Sequence, residues 1–162
     1  MMPQTVRFIT VGNLKESYLR EAAAEYKKRL SGMCRVEEVE LKEVKLPEDP
    51  SESEIKKALS EEAKAILAAI PPRSFPIALC VEGKLRSSEE VAGLLSDFGA
   101  SSSKHLVFLI GGSYGLDAGL KREADVRLSM SPMTFPHHLA RVMLLEQVYR
   151  ACQINVGTRY HK

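Results

Sequence analysis

The chain has 162 residues, 44% of them hydrophobic and 27% charged, which suits one globular domain able to bury a core without disulfide or metal staples and excludes a disordered polypeptide. Lys and Arg number 23 against 21 Asp and Glu, a formal net charge of +2, so this is no strongly basic nucleic-acid coat, although a local basic patch is compatible with RNA. The three cysteines, Cys34, Cys80 and Cys152, lie far apart with no CxxC spacing, which argues against zinc; Cys80 in an apolar run and Cys152 in an apolar helix read as buried thiols, and the compartment as reducing, the cytoplasm.

The opening residues Met1 to Arg7 carry no apolar run of the kind a secretory leader needs, and no stretch reaches the ~20 apolar residues of a membrane span. Val6 to Val11 reads as a strand closed by the turn Gly12-Asn13. Lys15 to Leu30 has apolar residues near helical spacing and stops at Ser31-Gly32; Arg35 to Leu41 alternates imperfectly and predicts a second strand. Leu46 to Ser53, rich in Pro, Glu, Asp and Ser, is a loop before a helix over Ser53 to Ile70, which Pro71-Pro72 ends. Ile77 to Val81 and His105 to Ile110 are continuous apolar runs, the pattern of strands buried on both faces. Glu82-Gly83-Lys84 forms a turn between them, and Ser87 with Glu90 makes a capping box for a helix over Ser88 to Asp97. Gly111 to Gly115 is a glycine-rich loop, Ala124 to Leu128 a short strand, Ser129 to Phe135 a loop, and Pro136 opens a last helix to about Ile154. Strands alternating with helices predict an α/β domain over residues 1–162 with a mainly parallel sheet flanked by helices.

In such sheets ligands sit beyond the carboxyl ends of the strands, which nominates the loops after Val81, after Ile110 and after Leu128. The glycines Gly111, Gly112 and Gly115 follow neither the GxGxxG nor the Walker pattern, and a tight turn or a ligand cradle is open to them. The loop Met130-Ser131-Pro132-Met133-Thr134-Phe135 is stiffened by proline; it either connects into the last helix or grips a flat ring between Met and Phe with its backbone groups. His137 and His138 occupy adjacent helix positions that point apart, so they are poor joint metal ligands and read as first-turn histidines that cap or pack the helix. The last helix is apolar around much of its circumference, which suggests packing on two sides, and Glu146 within it needs an arginine partner. Arg141 and Arg150 either pair with acids or contact phosphate, and the tail Tyr160-His161-Lys162 is either an ordinary polar end or a set that can stack a base, move a proton and hold phosphate.

Taken jointly, Leu109-Ile110-Gly111-Gly112-Ser113-Tyr114-Gly115, Leu128-Ser129 with Met133-Thr134-Phe135-Pro136-His137, Arg141 with Glu146-Gln147-Val148-Tyr149-Arg150-Ala151, and Tyr160-His161-Lys162 closely resemble the RlmH family of the SPOUT superfamily, the bacterial methyltransferases of a large-subunit rRNA pseudouridine. The resemblance runs through essentially the whole chain, beginning at Gly12-Asn13-Leu14-Lys15 where the family often has Gly-Lys-Leu-Lys; Arg159 stands where the family commonly has proline. It implies a C-terminal trefoil knot, one of the rare exceptions to unknotted connectivity. It also implies a homodimer, S-adenosyl-L-methionine as cofactor and no metal, a pocket at Leu79, Gly111 and Met130 to Phe135, and methylation of N3 of a pseudouridine in helix 69 of 23S rRNA, in the large subunit or the whole ribosome. On that reading His161 is the lead base or proton relay, Tyr160 stacks on or orients the base, and Arg141 and Arg150 stabilise charge or hold phosphate. The alternatives are a SPOUT enzyme acting on another RNA base, a non-catalytic ribosome-assembly factor, and a nucleotide-binding α/β module.

Overall fold

The computed structural model describes residues 5–162; Met1 to Gln4, part of the stretch read as lacking a leader, lie outside it. Five strands alternate with five helices: β1 Thr5–Val11, α1 Ser17–Leu30, β2 Arg35–Leu41, α2 Glu52–Ala69, β3 Ser74–Leu85, α3 Ser88–Gly99, β4 His105–Ile110, α4 Ala118–Glu123, β5 Val126–Ser129 and α5 His137–Asn155. The strands form one sheet in the order β2-β1-β4-β3-β5, and every pairing is parallel. The sequence reading had every element except α4, whose six residues are too few to show a helical period and include Gly119.

Parallel strands need crossovers, and these crossovers sort the helices onto two faces. Val6, Phe8, Leu106 and Phe108 point to the face covered by α1, α3 and α5, where Leu95, Leu144, Leu145 and Val148 complete the larger core. Ile9, Val11, Val107 and Leu109 point to the other face and meet Ala63 and Ile66 of α2, Leu116 of the loop before α4 and Leu120 of α4. The continuous apolar sequence of β4 is thereby explained, because Leu106 to Ile110 is buried from both sides. Phe8 and Phe108 stack with ring centroids 5.4 Å apart across neighbouring central strands; burying one such side chain is worth about 1.5–3 kcal/mol.

Local signals fix the helix starts. Ser87 accepts from Glu90 N at 3.1 Å while Glu90 receives Ser87 N at 2.6 Å, the capping box read from the sequence. Ser51 and Glu54 repeat the device at the start of α2, inside the stretch read as loop.

The departure that matters most is at β3. The turn expected at Glu82-Gly83-Lys84 belongs to an irregular extension of the strand, in which Leu128 of β5 is paired both with Leu79 and with Lys84. Residues 80–83 therefore bow outward around β5 and return to it. Gly83 makes the close approach possible: a Cβ there would lie 2.8 Å from the backbone carbons of Arg127 and Leu128. The chain reaches β5 from α4 on one face and leaves it for α5 on the opposite face, beside α1 and α3. This hook beside β5, with the C-terminal segment crossing the sheet next to it, is consistent with the knotted arrangement that the resemblance implies.

Between α5 and the edge strand β2 lies a polar cluster around the buried Arg141. Arg141 Nη1 donates to Glu40 at 2.8 Å and Nη2 to Glu38 at 3.2 Å, and Lys27 reaches Glu38 at 3.1 Å. Only 5% of the Arg141 side chain is exposed. No helix among the described residues is long and apolar enough to cross a membrane.

Candidate active site

The carboxyl ends of β3, β4 and β5 open into a cavity of about 650 Å³. All three loops nominated from the sequence line it. Leu79, Gly111, Met130, Ser131, Met133, Thr134 and Phe135 are in its wall, whereas Pro132 is not. Glu82, Ser113 and Tyr114 of the nominated loops also line it, whereas the walls given by Lys121 on α4 and by His137 and Ala140 on α5 had no signal in the sequence.

The glycine loop is a tight turn and a pocket wall at once. Gly115 N donates to Gly112 O at 3.0 Å, and Gly115 takes φ +80°, a conformation that favours glycine. A Cβ on Gly111 would sit 2.3 Å from the Gly115 carbonyl oxygen, so the two backbones touch. Across the cavity the 129–135 loop is held from within. Ser129 Oγ donates to the Ser131 carbonyl at 3.1 Å, and Ser131 Oγ accepts from Met133 N at 3.0 Å. The Met133 side chain is left largely exposed, at 70%.

At the mouth, His137 and His138 do not diverge as adjacent helix positions were expected to; at this first turn their ring centroids are 3.9 Å apart. Neither makes a side-chain cap bond, because the N-cap is Pro136. Burial holds the His137 imidazole below its usual pKa, His138 adds to the effect and Glu43 opposes it. Among the described residues no three His, Cys, Asp or Glu side chains converge to hold a metal ion.

A second constellation gathers at the far end of α5. Glu146 Oε1 accepts from Arg150 Nε at 3.0 Å and Nη2 at 2.6 Å and from the Tyr160 hydroxyl at 3.1 Å. The Arg150 guanidinium lies 4.8 Å from the Tyr160 ring centre, and Tyr149 meets the same ring edge-on at 4.8 Å. Burial, reinforced by Glu146, pushes the Tyr160 phenol above its usual pKa. Arg150 Nη1 is 3.2 Å from His161 Nδ1, and His161 Nε2 is 2.8 Å from Glu89 of α3. A guanidinium can only donate, so Nδ1 is the acceptor and the Nε2 proton points to Glu89. Arg150, Tyr160 and His161 are thus brought together. Arg141 is not among them, since both its terminal nitrogens are engaged by β2.

The two constellations share α5 but not its ends. From His137, at the cavity, to Arg150 the helix rises by about 20 Å at ~1.5 Å per residue. Neither Arg150 nor the tail lines the cavity of its own chain.

A family model described as "Predicted SPOUT methyltransferase" matches residues 4–161. The chain belongs to the SPOUT methyltransferase family. Within the family, curated relatives described as "Ribosomal RNA large subunit methyltransferase H" match almost end to end. Those of Bifidobacterium adolescentis and Clostridioides difficile are each 46% identical over 157 residues, covering 97% of this chain and 99% of theirs. That of Streptococcus suis is 42% identical over the same length and coverage. Among solved structures, a "Probable Methyltransferase" of Bordetella pertussis Tohama I aligns with TM-score 0.56 at 13% identity, over 93% of this chain and 95% of that one. A "probable methylase family protein" of Haemophilus influenzae aligns with TM-score 0.54 at 16% identity, over 100% of this chain and 72% of that one. At such identities these two structures show likeness of fold alone.

Proposed function

We propose that this protein is an S-adenosyl-L-methionine-dependent methyltransferase that acts on N3 of a pseudouridine in helix 69 of 23S rRNA, on the large subunit or the assembled ribosome, as a cytoplasmic homodimer. The observation that carries the proposal is the end-to-end match at 46% identity to large-subunit rRNA methyltransferases. The cavity agrees with it. Its volume falls in the range of about 300–1,000 Å³ usual for small-molecule sites, and apolar side chains with backbone groups of two stiff loops suit an adenosine. Leu79, Gly111 and the 130–135 loop would hold the cofactor, which when bound supplies an electrophilic methyl group on a sulfonium.

The N3 imide of pseudouridine carries a proton and is a weak nucleophile until that proton leaves, so the protein must align the base and receive the proton. His161 is the candidate acceptor, through Nδ1. Glu89 fixes its ring from the other side, as carboxylates commonly orient catalytic imidazoles. In the free chain Arg150 covers Nδ1, and a phosphate or uracil oxygen that draws Arg150 away would uncover that lone pair. Tyr160, braced by Glu146 and Tyr149, offers a face to a base.

The ~20 Å along α5 between cavity and tail is the reason to propose two subunits, with the tail of one serving the cavity of the other. Val81, Leu85, Met133 and Leu139, all large and exposed near the cavity mouth, would be covered by such pairing.

The deciding experiment incubates the protein with methyl-labelled S-adenosylmethionine and ribosomes lacking the modification, then maps the label by nuclease digestion and mass spectrometry. Label at N3 of one large-subunit pseudouridine is expected; label elsewhere, or none, would overturn the assignment. His161→Ala should lower the single-turnover rate, and an unchanged rate at every pH would remove His161 from the proton's path.

A further inference from the structure

The cavity wall is almost uncharged. Among the described residues that line it, only Glu82 and Lys121 carry a full charge at neutral pH, and they are paired with each other through Lys121 Nζ and Glu82 Oε1. They come from different elements, Glu82 from the outward bow of β3 and Lys121 from α4. Glu82 is 60% exposed, and an ion pair that open to solvent adds little to stability, so the fold gains little by placing it there. Lys121 holds the Glu82 carboxyl below the usual carboxylate range, with Arg127 adding a weaker pull, so Glu82 is ionised at neutral pH. What remains of the wall is apolar side chains such as Leu79, Ile110 and Phe135, together with loop backbone.

We infer that Glu82 and Lys121 form the subsite for the amino-acid end of the cofactor, Lys121 receiving its α-carboxylate and Glu82 its α-ammonium. This rests on the reading of the cavity as an S-adenosylmethionine site. An adenosine is neutral and is served by apolar walls and backbone, whereas an α-amino acid is a zwitterion whose two charges lie a few bonds apart. A side-by-side cation and anion is the matching complement. In the free protein each charge acts as the other's counterion; on binding each exchanges it for a charge-assisted hydrogen bond to the ligand.

The test is isothermal titration of the full chain with S-adenosylhomocysteine, which has the zwitterionic end, and with methylthioadenosine, which lacks it. Lys121→Met and Glu82→Gln are each expected to weaken S-adenosylhomocysteine about tenfold, the loss of one hydrogen bond to a charged group. Methylthioadenosine affinity should change by less than about twofold in the same variants, which also reports that the cavity is intact. If wild type binds both ligands and the variants weaken both equally, or neither, the subsite is wrong while the cofactor reading stands. If wild type binds neither ligand, the cofactor reading fails and the subsite with it.

Discussion

Gly111→Ala places the sharpest demand on the site. The added Cβ would stand 2.3 Å from Gly115 O, 2.4 Å from Gly115 C and 2.9 Å from Gly115 Cα. All three are backbone atoms, and ordinary contact starts at 3.4 Å, so no side chain can swing aside and the turn itself must open by about 1 Å. The Gly115 N to Gly112 O bond that closes the turn is stretched or lost with it. Overpacking of this kind costs about 1–3 kcal/mol, which for a chain of this size lowers Tm by roughly 2–12 °C. The sheet is untouched, so cooperative unfolding should persist. The same displacement moves the cavity wall formed by residues 111–115, so S-adenosylhomocysteine affinity should fall by about tenfold, the equivalent of about 1.4 kcal/mol of lost contact. Calorimetry and ligand titration on one sample give both numbers. A variant that keeps wild-type Tm and affinity would refute the tight Gly111–Gly115 packing and the part it is given in shaping the site.

Arg141→Met should cost about 1–2 kcal/mol in urea denaturation, less than breaking a fully buried pair because Lys27 still serves Glu38 and Glu40 reaches water, and Arg141→Lys should cost less. A Met variant of wild-type stability that had lost turnover would return Arg141 to a direct role at substrate. Burial raises the Glu62 pKa, so the folded state keeps that proton to higher pH than the unfolded chain, and stability is lost as pH rises through the folded value. Glu62→Gln retains an acceptor for Val44 N, and should be more stable than wild type at pH 7 but converge with it below about pH 4; a gap of the same size at both would contradict this. Gly93, exposed within α3 with nothing within 4 Å of an added Cβ, should gain about 0.5–1 kcal/mol on change to Ala, read from the thermal midpoint.

The strands were legible because burial on both faces writes itself as unbroken apolar runs: His105 to Ile110 gave β4 to the residue, and Ser87 with Glu90 announced α3. The cavity was half legible for the same reason. Strand ends nominate loops, and seven of the eight expected cofactor residues do line it. What could not be read was partnership across the chain. Nothing local in Arg141 says that it will meet Glu38, 103 residues away, in preference to substrate. Lys121 sits in a helix too short to announce itself, and it reaches the cavity only because β5 carries α4 past β3. Glu89 meets His161 only after the tail doubles back along α5 to α3. Such contacts are products of topology, which periodicity does not encode.

The hook around β5 has a consequence for how the molecule comes to exist. A ribosome releases the β3 bow and its Gly83 well before residues 130–162, so the bulge against β5 is synthesised before the segment that crosses the sheet beside it. The final helix, which carries one edge of the cavity, therefore emerges from the ribosome after every strand it packs against. The cavity wall that α5 supplies can close only once that helix has joined strands made well before it.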